Sequence, residues 1–348
     1  MREENGLKRK KFALAAVLAA LALTIVAGAG YAKTGSSQAT LKVAVVTDIG
    51  GLNDKGFNHL ANVGRLRAQS QLKVQTRVFV TGSAADRSPN LQSAAQSGYN
   101  LVFGVGFLMF DPLNSVAPAF PNVKFAGVDV PYALLDKKPT NVRGIQFKEQ
   151  EAGYLVGYIA GLTVKAQAGP DIVSAVGANQ VPAIVRFIAG YKAGVKRADA
   201  KATVISEYAN DPTFADQAKC KETALNQIAR GSKVVFQVAG QCGLGALSAA
   251  KEKGVWGIGV DADQSFLGSH ILTSATKKVD VAVYQTVQEF KKNPSSFRGG
   301  FDKIFNVKTG AVGYGKISAK LKGRATIIKK VEAIRKLIAK GKIKVPAQ

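Results

Sequence analysis

The sequence predicts an α/β protein of two doubly wound parallel-sheet lobes joined by a hinge. Short β-rich runs recur with helical stretches between them. These runs are continuously apolar rather than alternating, as expected when helices cover both faces of a parallel sheet. There are ten of them, many for one sheet, and the chain changes character midway.

Residues 1–32 stand apart from the fold. Lys8 to Lys11 precede the apolar run Phe12 to Ala29 and then GYAKTGSS, the layout of a secretory signal peptide with cleavage expected after Ala32. The run is long for a signal, so an uncleaved membrane anchor is the alternative. With no cysteine near the cut, a lipid-modified amino terminus is not expected. Residues 33–40 read as a linker, and nothing after residue 32 is long and apolar enough to span a bilayer.

The first lobe begins with LKVAVV (41–46), KVQTRVFV (73–80), YNLVFGV (99–105), VKFAGV (123–128) and NVRGIQF (141–147). The polar loop PYALLDKKPTN precedes the last of these, and FKEQEAGYLVGYIAGLTVKA follows it with Leu155, Ile159 and Leu162 at helical spacing. This marks the crossing to a second lobe. That lobe, from residue 148 to 275, takes DIVSAV, ATVISEY, KVVFQVA, GVWGIGV and HILTSA. KVDVAVYQTVQEFKKN (278–293) is amphipathic and should pack back on the first lobe. The first lobe is thus 41–147 plus about 276–300, and the second is 148–275 plus about 301–348. The second ends in a basic amphipathic helix whose Ile327, Val331, Ile334 and Ile338 suit packing on its own lobe better than lying on a membrane. No internal repeat is expected beyond the βα rhythm.

The formal charge of +25 is unevenly spread: residues 316–348 carry eleven Lys or Arg against Glu332 alone. A soluble basic surface explains this most simply. An anionic membrane surface comes next, and nucleic acid last, because the tail lacks interleaved stacking aromatics. Cys220 and Cys242 are the whole cysteine count, so a disulfide in an oxidising compartment and two small buried residues both stand open.

Several motifs imitate enzymes and fail. GAVGYGKIS (310–318) has P-loop spacing, but Ile317 stands where a Ser or Thr must hold the metal, so a turn is expected. AGQCGLGA (239–246) has its glycines in the wrong order for a dinucleotide fingerprint. His59 and His270, the only histidines, have no metal-ligand spacing, and no G-x-S-x-G elbow occurs. No metal, cofactor or catalytic residue is expected. Distinctive polar residues fall instead just after strands: Asp48, Asp129, Asn179 with Gln180, Gly240 with Gln241, and Asp261. Ligands bind at the carboxyl ends of strands in open parallel sheets, so two lobes would present two such edges to one cleft. In TDIGGLNDKGFNHLA (47–61), Asp48 and Asp54 flank the glycines with only Lys55 to offset them. That repels phosphate and suits a ligand bearing N–H or O–H donors, with Phe57 available either as a flat face or as helix core.

VAVVTDIGGLNDKGFN, GIQFKEQEAGYLVGYIAG, RFIAGYKAGVK, VVFQVAGQCGLGALSAAKEKGVWGIGVDADQ and LTSATKKVDVAVY occur in this order and together resemble the basic membrane protein family. Its members are substrate-binding proteins, the purine-nucleoside-binding components of ABC importers. The resemblance runs from about residue 41 to GKIKVP. It implies a type I periplasmic-binding-protein-like fold closing on a nucleoside. It places the acid after the first strand on Asp48 and the D-x-x-F-N segment on Phe57 and Asn58. The second stacking aromatic falls on Phe187, the backbone contact on Gly240, the ribose-binding acid on Asp261 and the sugar-side lysine on Lys277, with Asp129 a weaker correspondence. Ile49, where an amide can stand, and Asn179 with Gln180 depart from the pattern and leave the base open. Beside the resemblance, Cys220 early in a helix and Cys242 past the following strand are expected to form a disulfide, closing a loop of about 22 residues and worth about 3 kcal/mol. The function implied is a monomeric, exported, periplasmic or cell-surface receptor, membrane-associated, that hands a nucleoside to an ABC permease. The alternatives are a ligand sensor that presents the closed form to a signalling partner and an exported nucleoside-processing enzyme.

Overall fold

A computed structural model describes residues 40–348. The expected signal or anchor (1–32) and most of the expected linker (33–40) lie outside the described residues. Five strands open the first lobe: β1 (Lys42–Val46), β2 (Gln75–Phe79), β3 (Leu101–Val105), β4 (Lys124–Val128) and β5 (Val142–Phe147). Helices α1 (Phe57–Leu72), α2 (Arg87–Gln96) and α3 (Phe110–Val116) connect them. The second lobe repeats the plan with β6 (Ile172–Gly177), β7 (Thr203–Tyr208), β8 (Val234–Val238), β9 (Trp256–Asp261) and β10 (Ile271–Lys277). Its helices are α4 (Glu149–Lys165), α5 (Pro182–Ala198), α6 (Gln217–Ala229) and α7 (Gly243–Glu252). Then come α8 (Val279–Lys292), β11 (Phe301–Phe305), β12 (Val312–Tyr314) and α9 (Arg324–Ala339).

The two sheets run β11-β5-β4-β3-β1-β2 and β12-β10-β9-β8-β6-β7. Central strands such as β3 and β8 are buried at every position, while edge strands β2 and β7 are half-exposed, which explains the continuous apolar runs of the former. Every pairing is parallel except that of β12 with β10. Aligning the lobes by strand order sets β4 on β9, and a short repeat then emerges: Gly127-Val128-Asp129 against Gly259-Val260-Asp261. The sequence alone shows no such repeat, because only the topology says which strands to align.

Three expectations near the carboxyl end are corrected. Phe301–Phe305, expected in the second lobe, form β11, which pairs with β5 in the first sheet. Likewise β10 continues through Lys277, so the first lobe resumes only with α8. GAVGYGKIS is more than a turn: Val312–Tyr314 is a strand on the edge of the second sheet.

The chain therefore crosses between lobes three times, after Phe147, after Lys277 and after Phe305. The crossings are tied together by bonds from Lys148 N to Phe305 O and from Lys278 N to Ala311 O, both 2.8 Å. Helix α8 packs on α1 of the first lobe as expected, so closely that a β-carbon at Gly64 would lie 2.5 Å from the Asp280 carbonyl. Ile327, Val331, Ile334 and Ile338 of α9 are buried against the second lobe, the packing role rather than the membrane one. Cys220 in α6 and Cys242 ahead of α7 form a disulfide with 5.5 Å between Cα atoms.

One close helix pair fixes part of the site. Gly153 and Gly157 of α4 face α5 with no room for a side chain: a β-carbon at Gly153 would stand 2.1 Å from the Phe187 carbonyl oxygen. This contact holds Glu149, at the start of α4, beside Arg186 and Phe187 on α5.

Candidate ligand-binding cleft

The eight residues proposed to hold a ligand all line one cleft between the lobes, which encloses about 720 Å³, its open mouth included. Apolar side chains, among them Ile49, Leu108, Ile184 and Val260, form much of its wall. The lobes meet around it. Gln264 of the second lobe donates to the Lys55 carbonyl of the first at 3.2 Å, and Gly50 approaches the Gln241 side chain.

At the first-lobe end, the loop after β1 is braced from within. Asp54 accepts from the backbone N–H groups of Gly56, Asn58 and His59 at 2.7–3.1 Å. The free N–H groups at the start of α1, which a phosphate would need, are thereby already bonded to a carboxylate. Asn58 accepts from Asp48 N at 3.2 Å and donates to the Asp48 and Ile49 carbonyls at 3.3 and 3.2 Å. Its amide therefore shapes the loop, although the residue lines the cleft. Asp48 Oδ1 accepts from Arg87 Nε at 2.8 Å, a buried ion pair that no local pattern announced.

At the hinge end, the Lys277 ammonium is buried at the junction of the lobes. It lies 2.6 Å from Asp129 Oδ2 of the first lobe and 3.4 Å from Glu149 Oε1. The Phe57, Phe147 and Phe187 ring centroids surround it at 4.8, 5.2 and 5.7 Å. Glu149, fully buried, also accepts from Arg186 Nε at 2.6 Å. Burial alone would pull the Lys277 ammonium down, but the charges of Asp129, Glu149 and Asp261 outweigh it and hold its pKa above the ordinary value. Asp261 has no such direct contact. Burial pushes its carboxyl up to about 7, Lys277 opposes this, and the charges of Asp129, Asp54 and Glu149 add to it.

Asp129 and Asp261 both adopt the left-handed conformation, each with φ of 61°. Each also has a buried Oδ1 with no hydrogen-bond partner in the protein. Strained backbone and bare buried acceptors on both sides of one cleft are features of a binding site rather than of a core.

The structure also brings in Phe214, which lines the cleft from the loop after β7 with φ of 60°. Its carbonyl accepts from Cys242 N at 2.9 Å, linking that loop to the Gly240 turn and the disulfide. Asn179 donates to the Asp211 carbonyl in this same loop, and neither Asn179 nor Gln180 is part of the cleft wall, contrary to the expectation that they could touch a base. Of the departures from the family pattern, Ile49 alone lines the cleft. Among the described residues no cluster of three His, Cys, Asp or Glu could hold a metal, and no helix is long and apolar enough to cross a membrane.

Residues 41–348 match the family described as ABC transporter substrate-binding protein PnrA-like. The chain belongs to this family. It is an ABC transporter substrate-binding protein, of the kind that binds a ligand and works with a membrane permease. It is 32% identical to the ABC transporter nucleoside-binding protein BmpA of Lactococcus lactis, over 98% of this chain and 100% of that one. It is 33% identical to an uncharacterized lipoprotein of Pyrococcus abyssi, over 88% and 77% of the two chains. An ABC transporter solute-binding protein from Aeropyrum pernix superposes with a TM-score of 0.77 at 29% identity, covering 88% of this chain and 94% of its own.

Proposed function

We propose that this substrate-binding protein captures a nucleoside, a purine nucleoside in the first instance, and delivers it to an ABC permease from outside the cytoplasm. The observation that carries the reading is the pair of partnerless acceptors, Asp129 Oδ1 and Asp261 Oδ1, at the end of a cleft walled by phenylalanines. A ring with a hydroxylated sugar answers both features, giving the phenylalanines a flat face and the carboxylates O–H donors. Phe57 and Phe214 serve the ring while the buried Phe187 helps to position Lys277, Asp48 serves the ring edge, and Asp129, Asp261 and Lys277 the sugar hydroxyls, with Gly240 leaving room for approach. Four carboxylates on the cleft wall against the single Lys277 disfavour a phosphorylated ligand. The Lactococcus relative, named as a nucleoside-binding protein, supports the same assignment.

Calorimetry with a panel of nucleosides, free bases, ribose and nucleotides tests it. Nucleosides should bind, with free bases, ribose and nucleotides at least about tenfold weaker for want of one set of contacts. Binding of ribose or an amino acid in preference to every nucleoside would overturn the assignment.

A further inference from the structure

We infer that Arg87 is a positioning residue that turns Asp48 into a one-sided acceptor, so that the cleft selects ligands whose ring edge carries an N–H donor. The inference rests on the nucleoside reading above and concerns its specificity. Arg87, at the start of α2, does not line the cleft; it stands behind Asp48. Both Asp48 and Arg87 are nine-tenths or more buried, so the pair has little water to fall back on.

The two carboxylate oxygens of Asp48 have different surroundings. Oδ1 accepts from Arg87 Nε and from the Ile49 N–H, both at 2.8 Å. Oδ2 packs over Gly106 on the cleft wall, 3.1 Å from where a β-carbon there would lie. Gly106, with φ of 111°, could not take a side chain without strain and would crowd this oxygen if it did. One oxygen is thus fixed by the protein, while the other, beside Gly106 on the cleft wall, has no hydrogen bond among the described residues. The Asp48 carboxylate cannot rotate to offer Oδ1 without breaking two bonds, one of them to a cation. Asn58 meanwhile spends its amide on the backbone, and Ile49 offers no polar atom. Asp48 Oδ2 is therefore the charged acceptor at the ring edge at this end, where Gln241 offers only a neutral amide, and it reads only donors.

The test compares two nucleosides that differ at that edge: inosine, with an N–H on the six-membered ring, and purine riboside, which has none. In the wild-type chain inosine should bind about 10- to 100-fold more tightly, the value of one hydrogen bond to a charged acceptor. In Arg87→Met this ratio should fall to within about threefold, while purine riboside keeps its affinity. Arg87→Lys, which keeps the charge but loses the fixed geometry of the guanidinium, should give an intermediate ratio and carries the same test should the Met variant fold poorly. In an Asp48→Asn background, adding Arg87→Met should change the ratio no further. A merely structural role would lower both affinities alike. An unchanged ratio, or equal losses, overturns this inference and leaves the nucleoside reading standing, whereas failure of the wild-type chain to bind either nucleoside overturns both.

Discussion

In the first lobe Gly127 and Val128 lead into Asp129; in the second Gly259 and Val260 lead into Asp261, on the equivalent strand and in the same left-handed conformation. The strand-end position is duplicated, yet the cation is not. Lys277 touches Asp129 across the lobe boundary, while Asp261 faces it only at longer range and its carboxyl is pushed up to about 7. The meeting of the lobes therefore adds Asp129 to an ammonium that already has Glu149 and Asp261 of its own lobe nearby, three acids around one cation. The protein does not fully compensate its own closed cleft, and a ligand's O–H donors would complete the set. Identical local chemistry thus acquires different roles from what lies opposite it.

The largest way to disturb this arrangement is to remove its shared cation. Lys277→Met leaves the buried acids with only Arg186 nearby, and loss of one partner from a buried ion pair costs about 3–5 kcal/mol. Urea unfolding should register that loss, and calorimetry should register loss of measurable nucleoside binding. A variant as stable as the wild type that still binds within threefold would remove Lys277 from the centre of the site.

The two aspartates should then respond to pH in different ways. A carboxyl with a raised folded-state pKa reverses the usual case. The unfolded chain releases the Asp261 proton near 3.8 and the folded chain near 7. Its contribution to stability is therefore greatest below the lower value and declines as pH rises towards the upper, by at most about 4 kcal/mol. Asp261→Asn should match the wild type near pH 4 and exceed it in stability at pH 8, while binding the nucleoside about 10- to 100-fold more weakly. Asp129→Asn, which strips Lys277 of its nearest partner, should instead lose about 1.5–3 kcal/mol at pH 8. Parallel unfolding curves for the two variants at both pH values would show that the lobes are equivalent after all.

Much of the frame was legible in the sequence because it rests on local pattern. The ten apolar runs became ten strands, and the acids and glycines just after them fell on one cleft, since parallel βα units point every strand end the same way. β11 escaped notice because an edge strand reading FDKIF carries two charges and is half-exposed, so no buried run marks it. β12 has only three residues, one of them Gly313, too short for any pattern to mark. The supports of the site were illegible for another reason. Arg87 lies 39 residues from Asp48, and Lys277 lies 148 from Asp129 and 128 from Glu149, separations at which no spacing rule operates. Glu149 had no distinguishing mark in a helix that reads as a lobe boundary. Asn58 was seen but its amide turned inward, because the loop's carbonyls were nearer than any ligand.

The smallest expected effect divides two phenylalanines of the second lobe. Phe187 is almost wholly buried, its ring edge-on to Phe236 at 6.2 Å and close to the Lys277 ammonium. Phe214 is half-buried and held by a strained loop at the cleft wall. A stacking partner must offer an open face, and a ring already packed against neighbours contributes chiefly to their positions. Phe187→Leu should therefore cost about 1 kcal/mol of stability and weaken binding only through Lys277. Phe214→Leu should leave stability unchanged and weaken nucleoside binding by about threefold to tenfold, the share of an aromatic contact beyond its area. Equal binding losses for nucleosides and for ribose alone in Phe214→Leu would mean that its ring does not meet the base, and would return the second stacking face to Phe187.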